Sequence, residues 1–502
     1  MIDHAEYLKD ESRLSGAAEA VLFPQSAEEL AALLKEGRPV TFQGARTGIM
    51  GAAVPTAGRA VNLTALSGAT ALGQDEKGFW IDVLPGTLLC DLRAALRRRE
   101  FDTARWSDAS KAALKSLPAG LDFLPDPTEE TASLGGMFMT NAGGPSSLSC
   151  GRTAEHVLAV GGLFASGESF ALARGQCLID GAGRCALPGG QTLQLPACPG
   201  LLLPLCPAPG QDLVDLLSGS EGMLAAVTSL RLRLSARPKV RWSVVFFFDG
   251  PQGAAAFADG ALAMRPAWEG CELLSLEYLD ERSLGLFCSL RRTQSRLQVL
   301  PDLPEGARAA VMAGLGGAEE SSVEEALGAL LECFVEAGGQ EEDTWAADTP
   351  DEIEKFQLLR HAVPEGANAV VDQNRQKEPA LHKLTADVSF PNAPLCSLLP
   401  ELLGLVEESG LNGALFGHLG GRHFHLNLLP RDRAELERAE ALCEEVCRRA
   451  LARGGSPAAE NGVGKTKRAL LARLLPADVL AAMRAVKQAF DPQGVLNPGN
   501  FF

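Results

Sequence analysis

The chain has 502 residues, 46% hydrophobic and 22% charged, with a formal net charge of −17. That composition belongs to a folded protein, and the length is enough for two to four domains. So acidic a chain has no electrostatic attraction for nucleic acid or anionic lipid, and those partners are set aside.

Glycine is abundant at 53 residues, gathered in short loops without a repeat period, which excludes collagen-like and repeat architectures. The opening MIDHAEYLKDESR is too charged for a signal peptide. The 27 uncharged residues from Cys185 to Gln211 carry six prolines and four glycines, so they read as a surface excursion and no transmembrane segment is expected. Twelve scattered cysteines without a secretory signal point to reduced thiols in a cytoplasm.

In chain order, residues 17–37 read as strand, turn and helix, with Ser26 as N-cap and Glu29 as its capping partner. A strand from Pro39 to Phe42 opens into the loop Gln43-Gly44-Ala45-Arg46-Thr47-Gly48, with Gly51 beyond. Short strands recur at Ala60–Leu63, Trp80–Leu84 and Val157–Val160, and 223–234 ends in the alternation of a half-buried strand. Leu134 to Gly144 (LGGMFMTNAGG) reads as a short helix opened by Gly135-Gly136 and closed by Gly143-Gly144, and Gly219-Ser220-Glu221-Gly222 leads into a strand. Loops of this kind expose successive N–H groups able to cradle a pyrophosphate. Arg237-Pro238 reads as a boundary, followed by a strand from Trp242 to Phe248, two strands around a glycine turn near 413–429, a helix from Ala434 to Leu451, and helices over 466–490.

Residues 459–466 (AENGVGKT) imitate an NTPase phosphate loop. However, Ala459 replaces its first glycine, Glu460 would repel a triphosphate, and no apolar strand precedes it. Ser220 has no nucleophile-elbow surroundings. The most informative stretch is ALFGHLGGRHFHLNLL, Ala414 to Leu429, which holds three of the seven histidines. As a hairpin it sets His418 opposite His423, with His425 and Asn427 on the same face and Phe424, Leu426 and Leu428 on the other. Converging imidazoles suit a transition-metal ion or catalysis.

Taken together, QGARTG, PDPTEETASLGGMFMTNAGG, SGSEGMLAAVT, GHLGGRHFHLN, AENGVGKTK and FDPQGVLNPGNFF resemble, in the same order, the FAD-linked oxidases of the vanillyl-alcohol oxidase type. The branch they resemble holds D-lactate dehydrogenase, D-2-hydroxyglutarate dehydrogenase and the glycolate oxidase large subunit. The resemblance implies an α+β protein with a two-lobed FAD-binding domain (1–237), a substrate domain whose antiparallel sheet is covered by helices (238–455), and a C-terminal helical segment returning to the FAD domain (456–502). It implies that Gln43, Gly44, Ala45, Arg46, Thr47, Gly48 and Gly51 hold the pyrophosphate of FAD. Asp126, Gly135, Gly136, Thr140, Ala142, Glu221, Gly222 and Val227 would line the rest, with Asn497 near the flavin ring. No His or Cys stands in the first loop, so FAD is expected to be non-covalent. The resemblance further implies Arg360 as the grip on a substrate carboxylate and Lys383 as a substrate-binding lysine. His418, His425 and Glu460 would be ligands to a divalent metal such as zinc, manganese or iron.

This sequence departs from the family where Arg46 replaces a usual glycine, where Gly420-Gly421-Arg422-His423 replaces Gly-Asp-Gly-Asn, and where Asn461 replaces the histidine assigned as base. Asn cannot take that proton, so His423 is the candidate base, with His382 next if His423 joins the metal. The expectation is a cytoplasmic flavoprotein, or one at the inner face of the membrane. It would oxidise a D-2-hydroxy acid by metal-assisted hydride transfer to flavin N5, then pass electrons to an electron-transfer flavoprotein, iron–sulfur protein or quinone. The rivals are a flavoprotein subunit that has lost this oxidation and serves electron transfer or assembly, and a non-redox flavoenzyme of the alkylglycerone-phosphate synthase type.

Overall fold

The computed structural model describes residues 4–188, 190–196, 198 and 203–502. It combines helix and sheet and divides into two compact units, 1–144 with 151–237 and 460–502, and 145–150 with 238–459.

The first unit contains two principal sheets. A parallel three-stranded sheet runs Ala20–Leu22, Arg59–Asn62, Val40–Gln43, and Leu496 in the C-terminal tail bridges Val40 in parallel. The tail is fixed there by Asn497, whose N–H bonds the Val40 carbonyl at 2.8 Å and whose Oδ1 accepts from the Phe42 N–H at 2.8 Å. Leu30, Leu34, Val40, Val61, Val495 and Leu496 form the core beneath. The helix Ala27–Lys35 starts as its sequence requires, with Ser26 Oγ accepting from the Glu29 N–H at 3.2 Å. The second sheet is antiparallel, in the order Ala69–Asp75, Gly78–Val83, Ala226–Arg233, Val157–Leu163, Ser169–Ala173.

One sequence reading needs revision. The helix expected to close at Gly143-Gly144 spans Leu134–Thr140 and closes at Asn141, whose φ of 48° is left-handed. Asn tolerates that conformation best among residues with a Cβ, so glycine is not required. The excursion Cys185–Gln211 lies partly outside the described residues; within them, Arg184–Ala186 and Thr192–Gln194 pair as a small antiparallel ribbon. Among the described residues, no helix is long and apolar enough to cross a membrane.

The second unit is one seven-stranded antiparallel sheet covered by helices. Its order is Thr344–Ala347, Val240–Phe248, Ala309–Gly317, Cys271–Asp280, Gly413–His418, His423–Leu428, Leu384–Ser389. Both faces are buried, so the inner part of a central strand, residues 244–248, is apolar and buried at every position rather than alternating. On one face Phe246 and Phe248 stack with Phe257 and Phe334 of the helices Pro251–Met264 and Glu320–Glu336. On the other, Val245, Phe247, Leu279, Met312 and Phe416 pack against Phe356, Leu359, Val363 and Ala367 of the long helix Pro350–Arg375.

Candidate functional site

In the first unit, the loop expected to cradle a phosphate leaves the strand Val40–Gln43. Gln43 is buried and donates its Nε2–H groups to the carbonyls of Tyr7 and Ala53, both at 2.7 Å, so its side chain fixes the loop base. Gly44 is pressed against Ser133, where any Cβ would collide with the hydroxyl. Ser133 is the N-cap of Leu134–Thr140, accepting from the Gly136 N–H at 3.3 Å. The glycine loop and that short helix therefore meet backbone to side chain, and a Cβ at Gly48 would meet no atom within 4 Å. This close-approach cradle fits a pyrophosphate ligand. Arg46 occupies its position with φ 62° and lays its guanidinium over the Tyr7 ring, 4.2 Å from the centroid. A family preference for glycine there follows from the left-handed backbone, and the arginine is held by its ring contact.

Glu221 is also left-handed, with φ 52°. Its buried carboxylate accepts from the Val463 N–H at 2.6 Å and the Gly464 N–H at 2.9 Å, while its carbonyl accepts from Asn497 Nδ2 at 2.5 Å. Burial raises this carboxyl to about 7 against the pull of those amides and of Lys465 and Lys467. Both Glu221 and Asn497 thus spend side-chain groups on tying the C-terminal loop and tail together. Lys465, the lysine of the imitation phosphate loop, donates to Asn500 Oδ1 at 2.6 Å and to the Gly51 carbonyl at 3.3 Å, and no strand leads into it. Its role is structural.

In the second unit, the strand register builds a polar patch at one end of an apolar face. One row of directly paired residues reads Val245, Met312, Glu277, His418, His423, Ser389. The next reads Phe247, Ala310, Leu279, Phe416, His425, Asp387. The hairpin turn carries Arg422 at φ 47°, again where glycine is usual, with its Nε–H on the Ala393 carbonyl at 3.0 Å. Gly417 is required for closeness, because a Cβ there would strike the His423 carbonyl.

The three imidazoles are buried, their ring centroids 5.1, 5.7 and 4.6 Å apart. Their nearest ring nitrogens lie within 4.8 Å of one another. Three imidazoles about 2 Å from a tetrahedral ion hold their centroids roughly 5 Å apart, so this donor set fits a zinc-like metal. Glu460 directly follows Ala459, whose N–H bonds the Asp387 carbonyl at 3.2 Å.

Two acids stand behind the imidazoles, and neither was singled out from the sequence. Asp387, fully buried, accepts from His423 Nε2 at 2.6 Å and lies 3.8 Å from His425 Nδ1. Glu277 accepts from His418 Nδ1 on one oxygen and from Arg360 Nε at 2.7 Å on the other. Burial would raise the Glu277 carboxyl, yet His418 and Arg360 beside it outweigh that and hold it at about 2. Arg360 is itself buried, on the long helix. Pro364 four residues on removes the helical donor to its carbonyl. An acid set between the apolar Leu276 and Tyr278 in the interior of CELLSLEYLD was the available sequence signal for Glu277.

His382 and Lys383 precede the edge strand Leu384–Ser389, at the end opposite Ser389, which pairs with His423. At ~3.3 Å per residue they stand roughly 20 Å along it from His423. His382 is exposed there, which removes it as the alternative base. Asn461, Asp126 and Val227 lie in the first unit, as does Thr140, whose hydroxyl donates to the Gly136 carbonyl at 3.0 Å.

Residues 237–501 match the family described as FAD linked oxidases, C-terminal domain, and residues 18–111 match the FAD binding domain. A D-lactate dehydrogenase of Anaerostipes hadrus is 28% identical over 98% of this chain and 92% of its own. The glycolate oxidase subunit GlcD of Bacillus subtilis is 24% identical over 96% and 89%. A probable mitochondrial D-lactate dehydrogenase of Danio rerio is 27% identical over 96% and 84%. Among solved structures, an alkyldihydroxyacetonephosphate synthase aligns with TM-score 0.59 at 14% identity, covering 95% of this chain and 75% of that one, a likeness of fold.

Proposed function

Because the chain belongs to the FAD linked oxidases, we propose that it oxidises a D-2-hydroxy acid of the D-lactate kind to the 2-oxo acid. The observation that carries this reading is the buried patch of His418, His423 and His425 backed by Asp387, Glu277 and Arg360. The unit containing the glycine loop takes FAD without a covalent link, and the unit containing the histidines takes the substrate. Bound FAD supplies a two-electron acceptor for the hydride leaving carbon 2, and a bound divalent ion acidifies the substrate hydroxyl.

The residues divide the remaining tasks. His418, His425 and Glu460 hold the ion. Arg360 binds the substrate carboxylate through charge-assisted hydrogen bonds. His423 takes the hydroxyl proton, its tautomer set by Asp387, in place of the histidine that Asn461 has replaced. The ring spacing favours a second reading of one residue, in which His423 is a third imidazole ligand. Electrons pass on to an electron-transfer flavoprotein or an iron–sulfur protein in the cytoplasm, or to a quinone at the inner face of the membrane.

Anaerobic titration of the yellow protein with D- and L-2-hydroxy acids tests the proposal. Bleaching by a D-acid is expected. No bleaching by any member, with flavin fully bound, would favour a subunit retained for electron transfer or assembly.

A further inference from the structure

Glu277 lies mid-strand between the buried Leu276 and Tyr278, its own side chain only 6% exposed. A carboxylate in such a place costs several kcal/mol of desolvation unless ion pairs and hydrogen bonds compensate. Here the compensation comes from two residues on different elements. Oε1 takes the Nδ1–H of His418, at the end of the hairpin strand Gly413–His418, and Oε2 takes the Nε–H of Arg360, on the long helix Pro350–Arg375. A carboxylate on Nδ1 fixes the imidazole tautomer and ring plane, leaving Nε2 as its metal-binding nitrogen. A carboxylate on Nε fixes the plane of the guanidinium fork. The side chains are 141 and 83 positions from Glu277 in sequence, and this one acid holds both.

We propose that Glu277 is a positioning residue that sets the metal-binding His418 and the substrate-binding Arg360 in one fixed relation, so that metal affinity and substrate affinity depend on the same carboxylate. This rests on the reading above that His418 holds an ion and Arg360 the substrate.

The test uses flavin-loaded protein, with zinc binding followed by equilibrium dialysis and steady-state kinetics on the acid identified by titration. Glu277→Gln should weaken zinc binding about 10–100-fold, as loss of a carboxylate behind a metal-bound histidine does. It should raise KM at least tenfold, with a smaller change in kcat and full flavin content. Glu277→Asp, which keeps the charge but retracts it by one methylene, should fall between, and it decides the matter if the Gln variant does not fold. Zinc affinity and KM both within twofold of wild type in a folded variant would overturn the proposal and reduce Glu277 to a brace between helix and sheet. If wild-type protein binds zinc no more tightly than His418→Ala, the metal reading itself has failed and the Glu277 proposal falls with it. Zinc binding that is lost in His418→Ala but unchanged in both Glu277 variants would overturn the positioning role alone.

Discussion

His423 donates its Nε2–H to Asp387 across 2.6 Å, with the carboxylate completely buried and the imidazole 3% exposed. A dyad of that kind holds one tautomer, keeping Nδ1 as the basic nitrogen. His423→Ala should therefore slow flavin reduction by about 10²–10⁴-fold with the metal retained, and Asp387→Asn by roughly 10–100-fold. Stopped-flow reduction together with metal analysis checks both. Near wild-type reduction in His423→Ala would sink the role of base, and loss of metal instead would make His423 a ligand.

Asn461→His restores the residue usual in the family. A faster enzyme would mean that the site has drifted from a hydroxy-acid dehydrogenase. A dead one would mean that proton removal has been rebuilt around His423, and single-turnover rates distinguish the two.

Arg360→Lys should raise KM strongly with flavin content unchanged, because an ammonium cannot serve Glu277 and a substrate carboxylate with a planar fork. An unchanged KM would confine Arg360 to its ion pair with Glu277.

FAD should leave the protein on acid precipitation, since Gln43 to Gly48 contain no His or Cys to link it. Colour retained in the pellet would refute this.

Glu221 gives the apoprotein a pH dependence of defined sign. Its carboxyl is raised to about 7 from an ordinary 4.5. Between those values the folded chain binds more protons than the unfolded one, so the contribution is full below about 4.5 and is lost as pH rises through about 7. Replacing Glu221 by Gln should flatten the fall in Tm between pH 5 and pH 8. Parallel wild-type and variant curves would show that the group titrates normally.

The local features were legible in the sequence. The Ser26 cap, the short helix after Ser133 and the hairpin that aligns His418 with His423 each follow from residues within a few positions of one another. The acids behind the histidines were not. Glu277 reaches His418 only because strands far apart in sequence become neighbours, and alternation along one strand says nothing about which strand lies beside it. His382 misled for the same reason, because nothing local shows that Ser389, at the far end of the strand it precedes, is the residue that pairs with His423. The left-handed positions of Arg46 and Arg422 were hidden by identity, because an arginine gives no hint of the backbone that makes glycine usual there.

The bridge from Val40 to Leu496 and the hold of Asn497 on Phe42 have a consequence for synthesis. Phe42 waits 455 positions for the amide that caps it. At ~5–20 residues per second, that is on the order of half a minute to a minute and a half on the ribosome. During that interval the strand Val40–Gln43 has one neighbour and one open edge, whereas all the strands of the seven-stranded sheet have emerged before the tail begins. The second unit can therefore mature while the first is still a template with an exposed edge, and a nascent chain stalled before Leu496 presents that edge to any chaperone or any other extended segment nearby.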